Sequence, residues 1–386
     1  MESVLKHTEL KIDKSNWKLV KFGDVVAEPK ETCKDIVSEG IEHVVGLEHI
    51  DTGDLHLRKS ATTEESTTFS KKFRKGDVLF GRRRAYLKKA AQADFDGICS
   101  GDITVFRAKN SLLPELLPFI VNNDKFFDFA VKHSAGGLSP RVKFKDLANY
   151  EFLLPPKAEQ ARLAEILWAM DVVIEKEKVV LEKLNSCLIA LEFLYFDSYK
   201  KVSLKQVVQK TISGGTPSTK EKDFYKNGTI PWITTKTLNE DYTFFGEKLI
   251  SNEAVQNSAA KILPKGNILA GTRVGVGKFS INDVDISFSQ DINGLFIEKS
   301  LANVEYLLFQ LNSKVFQKKL EPLLRGTTIK GILKDDLLNL KICLPEIKTQ
   351  TENAMVITKN KKSILNLIEK ITASQSLQKS LINMIF

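Results

Sequence analysis

The amino-acid sequence predicts an α+β protein in which two similar domains alternate with two long helices. Two observations predict this fold class. The chain repeats itself with a period of about 190 residues, and after each copy the apolar residues take up a seven-residue spacing. The length of 386 residues also favours two domains over one. We expect domains at 1–156 and 200–345, and helices at 157–199 and 346–386.

Matching segments follow one another in the same order and at nearly the same distance in both halves. The pairs are KGDVLFGRRR (75–84) with KGNILAGTRV (265–274), DFDGICSGDITVFRAK (94–109) with DVDISFSQDINGLFIEK (283–299), GGLSPRVKFKDL (136–147) with GTTIKGILKDDL (326–337), and LLPP (153–156) with CLPE (343–346). Short β-branched or aromatic runs within them indicate strands. The segments 113–132 and 304–320 have helical spacing. Each half therefore mixes strands and helices, and the strand order stays open.

After each domain, apolar residues recur at heptad positions over about four heptads, without an internal proline or glycine. The predicted seam consists of Leu167, Met170, Ile174, Leu181, Leu184, Leu188, Leu191, Ile357, Ile364, Leu367, Ile371 and Leu381. Glu177, Asn360, Ser374 and Gln378 interrupt the seam, which favours one pairing register. The alternative is two core helices of unrelated domains, but each would be roughly 60 Å long, which exceeds a small domain's core.

The two helices are expected to pair with each other inside the chain. Residues 157–199 carry a net charge of −3 and residues 346–386 a net charge of +3, which weakly favours this pairing. Pairing through equivalent faces implies a pseudo-two-fold axis. An axis along the helices would crowd both domains at one end. We favour an axis across them, which gives two long antiparallel coiled-coil helices with one domain at each end.

The order of these motifs resembles the specificity subunit of Type I restriction-modification enzymes. SGGTPSTKEKDFYKNGTIPWITT (213–235) is similar to the start of many target-recognition domains in that family. KGNILAGTRVGVGKFS (265–280), the GTT at 326–328 and LPPKAEQARLAEILWAMD (154–171) resemble further family patterns. The first domain has GIEHVVGLEHIDTGDL (40–55) where the second has the GGTP form, so it resembles a different subclass of recognition domain.

The resemblance implies that the two target-recognition domains read a bipartite, asymmetric sequence in double-stranded DNA. It also implies that the helices set the spacer and bind two DNA methyltransferase (M) subunits, to which restriction (R) subunits can add. S-adenosylmethionine and ATP would then be bound by the partners and not by this chain. The second helix begins TQTENA where the first has EQARLA, which implies weaker docking there.

Basic side chains on loops are the expected DNA contacts, because phosphates require Lys or Arg and base edges favour Arg, Lys, Asn or Gln. The densest basic segment is 71–89, for which a solvated charge run is the alternative, and residues 200–345 carry a net charge of +7. The candidates are Arg82, Arg83, Arg84, Tyr86, Lys88, Lys89, Arg141, Lys143, Lys220, Lys222, Arg273, Lys278, Arg325 and Lys330.

Signals for catalysis or a resident cofactor are weak. The GVG at 275–277 is a partial dinucleotide fingerprint, and GGTPSTK lacks the spacing of a phosphate-binding loop. The histidines, which fit no familiar ligand spacing, are His7, His43, His49, His56 and His133. The cysteines, expected to be reduced, are Cys33, Cys99, Cys187 and Cys343. We expect a non-catalytic chain without a metal or cofactor, and a cytoplasmic one because no apolar run of membrane length or signal-peptide core is present.

Two alternatives stay open at this stage. The first is a protein-interaction scaffold with two binding domains on a coiled-coil spacer and no DNA role. The second is an enzyme with an unrecognised nuclease site. A helix pair near 60 Å also predicts a ruler, since duplex DNA turns once in roughly 34–36 Å, so shortening both helices by four residues should change the permitted spacer.

Overall fold

The computed structural model describes residues 12–62, 68–238, 241–327 and 330–386. The described chain forms two compact units. Unit 1 contains the residues up to Lys178 together with Glu369–Phe386, and unit 2 contains Val179–Ile368. The boundary crosses both long helices, so each unit holds one domain and part of each helix. Among the described residues, no helix has both the length and the apolar character that a bilayer crossing requires.

In the part of unit 1 that the structure describes, the strands form three small sheets. The strands are β1 (Lys18–Lys21), β2 (Val26–Ala27), β3 (Val44–Val45), β4 (Lys71–Phe73), β5 (Val78–Gly81), β6 (Ala90–Gln92), β7 (Gly97–Cys99), β8 (Ile103–Ala108) and β9 (Glu151–Leu154). β1 pairs with β9, a four-stranded sheet has the order β2-β8-β5-β6, and a third has the order β3-β7-β4. All these pairs are antiparallel except β3 with β7.

The helices of unit 1 cover the larger sheet. They are α1 (Phe22–Val25), α2 (Leu117–Val121), α3 (Asp124–Lys132), α4 (Phe144–Leu147) and the first part of α5 (Lys157–Asp197). The predicted helix at 113–132 is divided in two, because the Asn123 side chain accepts a hydrogen bond from Lys125 N at 2.8 Å and caps a new helix. A fully buried phenylalanine cluster fills the core beneath, in which Phe22 and Phe80 each contact the rings of Phe106 and Phe126.

Within the described ranges, unit 2 repeats this topology with two strands more than unit 1. Its strands are β10 (Lys201–Ser203), β11 (Val208–Ser213), β12 (Ile230–Ile233), β13 (Tyr242–Thr243), β14 (Lys248–Ile250), β15 (Ile262–Leu263), β16 (Ile268–Gly271), β17 (Phe279–Asn282), β18 (Ile286–Phe288), β19 (Ile292–Ile297) and β20 (Lys341–Cys343). Its helices, besides the second part of α5, are α6 (Asn252–Gln256), α7 (Val304–Asn312), α8 (Lys314–Leu320), α9 (Lys334–Asn339) and the first part of α10 (Ile347–Ile385).

Strand order shows that the two domains share one fold. The pair β10-β20 matches β1-β9, the order β11-β19-β16-β17 matches β2-β8-β5-β6, and β12-β18-β15 matches β3-β7-β4. The parallel pair recurs too, since β12 runs parallel to β18 as β3 does to β7. β13 and β14 lie at the edges of the two larger sheets of unit 2 and have no counterpart among the strands described for unit 1. The predicted α+β fold class and the internal repeat are confirmed.

A buried glutamine near the start of each long helix fastens the helix to its domain. In unit 1, Gln160 Oε1 accepts from Leu113 N at 2.9 Å, and Gln160 Nε2 donates to Ser111 O and Pro155 O. Gln350, 190 positions later, makes the same three contacts, with Asn303 N, Leu301 O and Pro345 O. The TQTENA start of the second helix therefore keeps the residue that positions it.

Within unit 1 the two long helices run antiparallel, as predicted. Gln378 Nε2 donates to Leu167 O at 3.3 Å, while Lys370 Nζ lies 2.9 Å from Glu177 Oε1. Later positions on α5 therefore face earlier positions on α10. Ser374 Oγ also lies 3.4 Å from Glu177 Oε2, so three of the polar residues predicted in the seam take part in the pairing.

The predicted seam residues are all turned inward. In unit 1 the buried or half-buried ones are Leu167, Met170, Ile174, Ile371 and Leu381, and in unit 2 they are Leu181, Leu184, Leu188, Leu191, Ile357, Ile364 and Leu367. Seam residues also join the domain cores: Leu167 packs in the main core of unit 1, and Leu188 and Ile357 pack in that of unit 2.

Candidate nucleic-acid interface

The candidate interface of unit 1 is built on two loops that follow β5 and α3. Arg82 N donates to Asp102 O at 3.0 Å, and Val142 N donates to Arg82 O at 3.1 Å. Ala135 and Arg141 exchange a pair of main-chain hydrogen bonds at 2.9 and 3.0 Å, which closes the loop between them. The basic segment after β5 and the loop that contains Arg141 are thus held side by side, although about 50 residues separate them in sequence.

Asp102 joins the two loops through their arginines. Its carboxylate accepts from Arg141 Nε at 2.7 Å and from Arg83 NH1 at 3.1 Å, and Arg83 also reaches Ser139 Oγ at 3.2 Å. Burial opposes ionisation of this carboxyl, but the hydrogen bonds from the two arginines hold the pKa of Asp102 below its ordinary value. Arg83 and Arg141 therefore shape the loops, and part of their charge is already neutralised.

The other candidates of unit 1 differ in how much of the side chain is available. Arg84 has a left-handed backbone (φ 53°) and is exposed, and Tyr86 is 52% exposed. Lys143 is exposed as well. By contrast, Lys88 Nζ lies 2.6 Å from Asp124 Oδ1, and Lys89 Nζ donates to Leu47 O at 2.7 Å.

Arg82 is also engaged, because its Nε donates to Val142 O at 3.1 Å. In the part of unit 1 that the structure describes, no side-chain partner is present for Arg84 or Lys143. These two are the cations that are best placed to meet a polyanion.

Unit 2 repeats the main-chain arrangement with different side chains. Thr272 N donates to Asp291 O and Ile332 N to Thr272 O, both at 2.9 Å. Arg325 and Gly331 close their loop with two hydrogen bonds of 2.8 Å. In place of the link from Arg83 to Asp102, Thr272 Oγ1 accepts from Asn293 Nδ2 at 2.8 Å.

These loops surround a cavity of about 360 Å³ that Arg273 and Arg325 line. Arg273, Lys278 and Lys330 are exposed, whereas Arg325 NH2 lies 2.8 Å from Asp336 Oδ2. Thr328, the last residue of the predicted GTT pattern, lies outside the described residues.

The GGTP segment acts mainly as a structural clamp. A side chain at Gly214 or Gly215 would place Cβ 2.3 Å from a main-chain oxygen, of Phe288 or Ala259, so only glycine fits. Trp232 Nε1 donates to Gly215 O at 3.0 Å, and Tyr225 OH donates to Pro217 O at 2.8 Å. In unit 1, β3 lies within the segment GIEHVVGLEHIDTGDL. It holds the topological position that β12, with the sequence IPWI, holds in unit 2.

Lys220 and Lys222 are exposed on the loop that follows the GGTP clamp. Lys222 lines a cavity of about 670 Å³ together with Tyr225, Lys248 and Leu249. Lys248 was not among the predicted contacts, and its Nζ lies 5.2 Å from the centre of the Tyr225 ring. No local sequence pattern marks Lys248, because it lies 23 residues from Tyr225 and meets it only in the fold.

The remaining polar candidates have structural partners. His43 contacts Ser60 Oγ at 2.8 Å, His49 Nδ1 accepts from Gly46 N at 2.9 Å and His133 contacts Phe129 O at 2.8 Å. His56 Nε2 lies 2.6 Å from Asp171 Oδ2, and His7 lies outside the described residues. Across the described ranges, no group of three or more His, Cys, Asp or Glu side chains is arranged to hold a metal. The four cysteines are free thiols.

Comparison with known protein families shows to which family this chain is related. The family model for the Type I restriction modification DNA specificity domain matches twice, at residues 14–186 and 197–374, and so covers both units. The chain belongs to this family. The two matches coincide with the internal repeat, so the Type I specificity fold is present in duplicate.

Curated relatives carry the same family description. The MjaIX specificity subunit of Methanocaldococcus jannaschii is 30% identical over 173 residues, which is 42% of this chain and 40% of that protein. The MjaVIII specificity subunit of the same organism is 28% identical over 304 residues, 71% of this chain and 68% of that protein. The chain thus spans less than half of the first relative and about two thirds of the second.

Solved structures of the family share the fold at low sequence identity. The S subunit of a Type-I system from M. genitalium aligns with a TM-score of 0.58 at 11% identity, covering 98% of both chains. The HsdS subunit from Thermoanaerobacter tengcongensis aligns with a TM-score of 0.50 at 22% identity, covering 96% of this chain and 95% of that one.

Proposed function

We propose that this chain is the non-catalytic specificity subunit of a Type I restriction-modification complex and that it binds a bipartite, asymmetric sequence in double-stranded DNA. The observation that carries the proposal is the repeated loop scaffold. Equivalent main-chain hydrogen bonds hold equivalent loops in both units, but the exposed cations differ and include Arg84 and Lys143 in one unit and Arg273 and Lys278 in the other. Two related domains with different contact residues suit two different half-targets.

The long helices are the proposed docking elements for two DNA methyltransferase subunits. Their outer faces carry exposed large apolar side chains, among them Val172, Val173, Val180, Met355 and Leu365, which are 47–65% exposed. Apolar area of this kind on a basic, otherwise well-packed protein favours a protein partner. Restriction subunits would add to that assembly, S-adenosylmethionine and ATP would be bound by the partner subunits, and the complex would act in the cytoplasm.

Two measurements on the complex of this chain with its methyltransferase test the proposal. Base-resolved methylation mapping should return one asymmetric target with two specific parts and an unread spacer. The affinity for that duplex should fall steeply between 50 and 200 mM salt, by about 10³-fold or more if six or more phosphates are contacted. Weak retention on DNA that does not depend on salt would instead support a protein-interaction scaffold. Metal-dependent cleavage by the isolated chain would indicate an enzyme.

A further inference from the structure

An exposed pair of aromatic side chains lies in a part of unit 2 that has no counterpart strand among the described residues of unit 1. Phe244 and Phe245 connect β13 to β14 and are 59% and 55% exposed. Their ring centres are 5.3 Å apart at an interplanar angle of 70°, so the rings pack edge to face on each other. Single exposed apolar residues are common on protein surfaces. Two adjacent exposed phenylalanines on one turn instead form a continuous apolar surface.

The turn that carries these rings is held at both ends. β13 pairs with β17, and β14 pairs with β12 through Trp232 and Lys248. Between them, a side chain at Gly246 would place Cβ 2.7 Å from Trp232 N, so the backbone approaches as closely as only glycine permits. The rings are thus exposed on a fixed base.

Contacts connect this turn to the candidate DNA loops of the same unit. Glu247 Oε1 accepts a hydrogen bond from Thr234 N at 3.1 Å. Thr235, the next residue, lies against the turn that follows Arg273, because a Cβ added to Gly275 would be 3.3 Å from Thr235 Cβ. The segment from Thr234 therefore bridges the aromatic turn and the loop of Arg273.

The surroundings of the rings favour a nucleic acid over an apolar partner. Lys248, three residues beyond Phe245, is exposed and lines the cavity that Lys222 and Tyr225 also line. Residues 200–345 carry a net charge of +7. Aromatic side chains interleaved with lysines are typical of surfaces that contact phosphates and bases together.

We propose that Phe244 and Phe245 form an apolar wedge that enters the base stack of the second half-target and partly unstacks one base step. The proposal rests on the proposed DNA-binding function and extends it. Apolar wedges of this kind kink the duplex, and the cost is smallest at flexible pyrimidine–purine steps. Unit 2 therefore selects such a step at a position where it makes no hydrogen bond to a base edge.

The test uses the complex of this chain with its methyltransferase and the duplex target defined by methylation mapping. 2-Aminopurine is used because its fluorescence rises when it is unstacked. It is placed at successive positions of the second half-target other than the methylated base and its neighbours, which the methyltransferase unstacks itself when it flips its target base. With the wild-type chain we expect the rise at one step. The F244A/F245A variant should abolish it and weaken binding about tenfold, the loss of about 1.4 kcal/mol. F244L/F245L, which keeps apolar bulk, should retain part of the rise.

Leu301→Ala is the matched control, since Leu301 is 48% exposed and lies elsewhere on unit 2. It should leave both signals unchanged. The wedge is refuted if the fluorescence rise persists in F244A/F245A, or if the wild-type complex methylates its target without any unstacking. It is also refuted if F244A/F245A loses methyltransferase subunits while its DNA affinity is kept. Failure of the wild-type complex to bind DNA would instead refute the proposed function.

Discussion

Gln160 and Gln350 lie in the first turns of the two long helices. The side chain of each forms hydrogen bonds with three main-chain groups. Both are buried, with exposures of 1% and 0%, so the groups they bind have no ready access to water. A buried main-chain donor or acceptor that loses its partner costs about 1–3 kcal/mol. These glutamines are therefore structural: they fix where each helix leaves its domain, and through that the surfaces that the helix presents.

Gln350→Ala should destabilise unit 2 by about 1–3 kcal/mol, because Asn303 N and Leu301 O lose their partner in a buried setting. Urea denaturation should show a lower midpoint for the transition of that unit. Lys348→Ala, an exposed change on the same turn, serves as the control and should leave the midpoint unchanged. Equal midpoints for both variants would show that the glutamine contacts are dispensable.

Arg83 and Arg84 are neighbours with different expected roles. Arg84→Ala should weaken DNA binding at all sequences and reduce the slope of log affinity against log salt by about one, as the loss of a phosphate contact does. Arg83→Ala should instead loosen the loops, since Arg83 binds Asp102 and Ser139. Binding isotherms at several salt concentrations, with a melting curve for each variant, separate the two. An unchanged salt slope for Arg84→Ala would remove it from the interface.

Some residue roles follow from the sequence and others depend on the fold. The repeat offset of 190 makes Arg273 the equivalent of Arg83, and in the structure each arginine lies two residues after an equivalent strand. The link between Arg83, Asp102 and Arg141 could not be predicted, because no local pattern relates residues 19 and 39 positions apart that meet only when two loops close. For the same reason, the sequence could not predict which basic residues remain exposed.

At the scale of elements, position 171 and its repeat equivalent 361 both anchor a helix to a domain, but with opposite charges. Asp171 on α5 pairs with His56 in unit 1, and Lys361 on α10 pairs with Asp241 in unit 2. The heptad pattern predicted the helices, and the steric argument against crowding both domains at one end predicted their antiparallel pairing. The heptad pattern did not predict these anchors, since their partners lie in loops without periodicity. The extra strands β13 and β14 were equally hidden, because each is only two or three residues long.

The anchor in unit 1 should depend on pH. The hydrogen bond and charge of Asp171 raise the pKa of His56 above 6.5, with burial opposing, Arg58 opposing and Asp54 assisting. Because the folded-state pKa is raised, the pair contributes its full stabilisation of the folded state below pH 6.5. This stabilisation is lost as the pH rises through the folded-state pKa. The melting temperature of unit 1 should therefore fall relative to that of His56→Gln between pH 6 and 8. Parallel profiles for the two proteins would contradict this.

At the scale of the whole molecule, the division into units does not follow the order of the sequence. Unit 1 includes Glu369–Phe386, and these residues bind its domain directly. Asn383 Nδ2 donates to Asp124 Oδ2 at 2.7 Å, and Lys125 Nζ donates to Phe386 O at 3.0 Å. Hydrogen bonds to the neighbouring lysines Lys88 and Lys379 and to Asn383 lower the pKa of Asp124 to about 2.

Domain exchange with another family member should respect this division. Replacing residues 12–178 together with 369–386 should change one half-target and give a stable chimera. Replacing only the stretch up to residue 156 should also change one half-target, but the chimera should melt at a lower temperature because the contacts of Asn383 and Phe386 are mismatched. Methylation mapping and melting curves check both outcomes. A change in both half-targets would show that the domains do not read independently.

The placement of residues 379–386 also links distant parts of the gene. A mutation that deletes these residues leaves the second domain's coding region intact, yet it removes Ile382, Ile385 and Phe386 from the core of the first domain, encoded more than 200 codons upstream. Such a mutation would therefore impair recognition of the half-target that the first domain reads, although the codons of that domain are unchanged. Sequence variation in the codons of residues 379–386 should be interpreted with the first domain in mind.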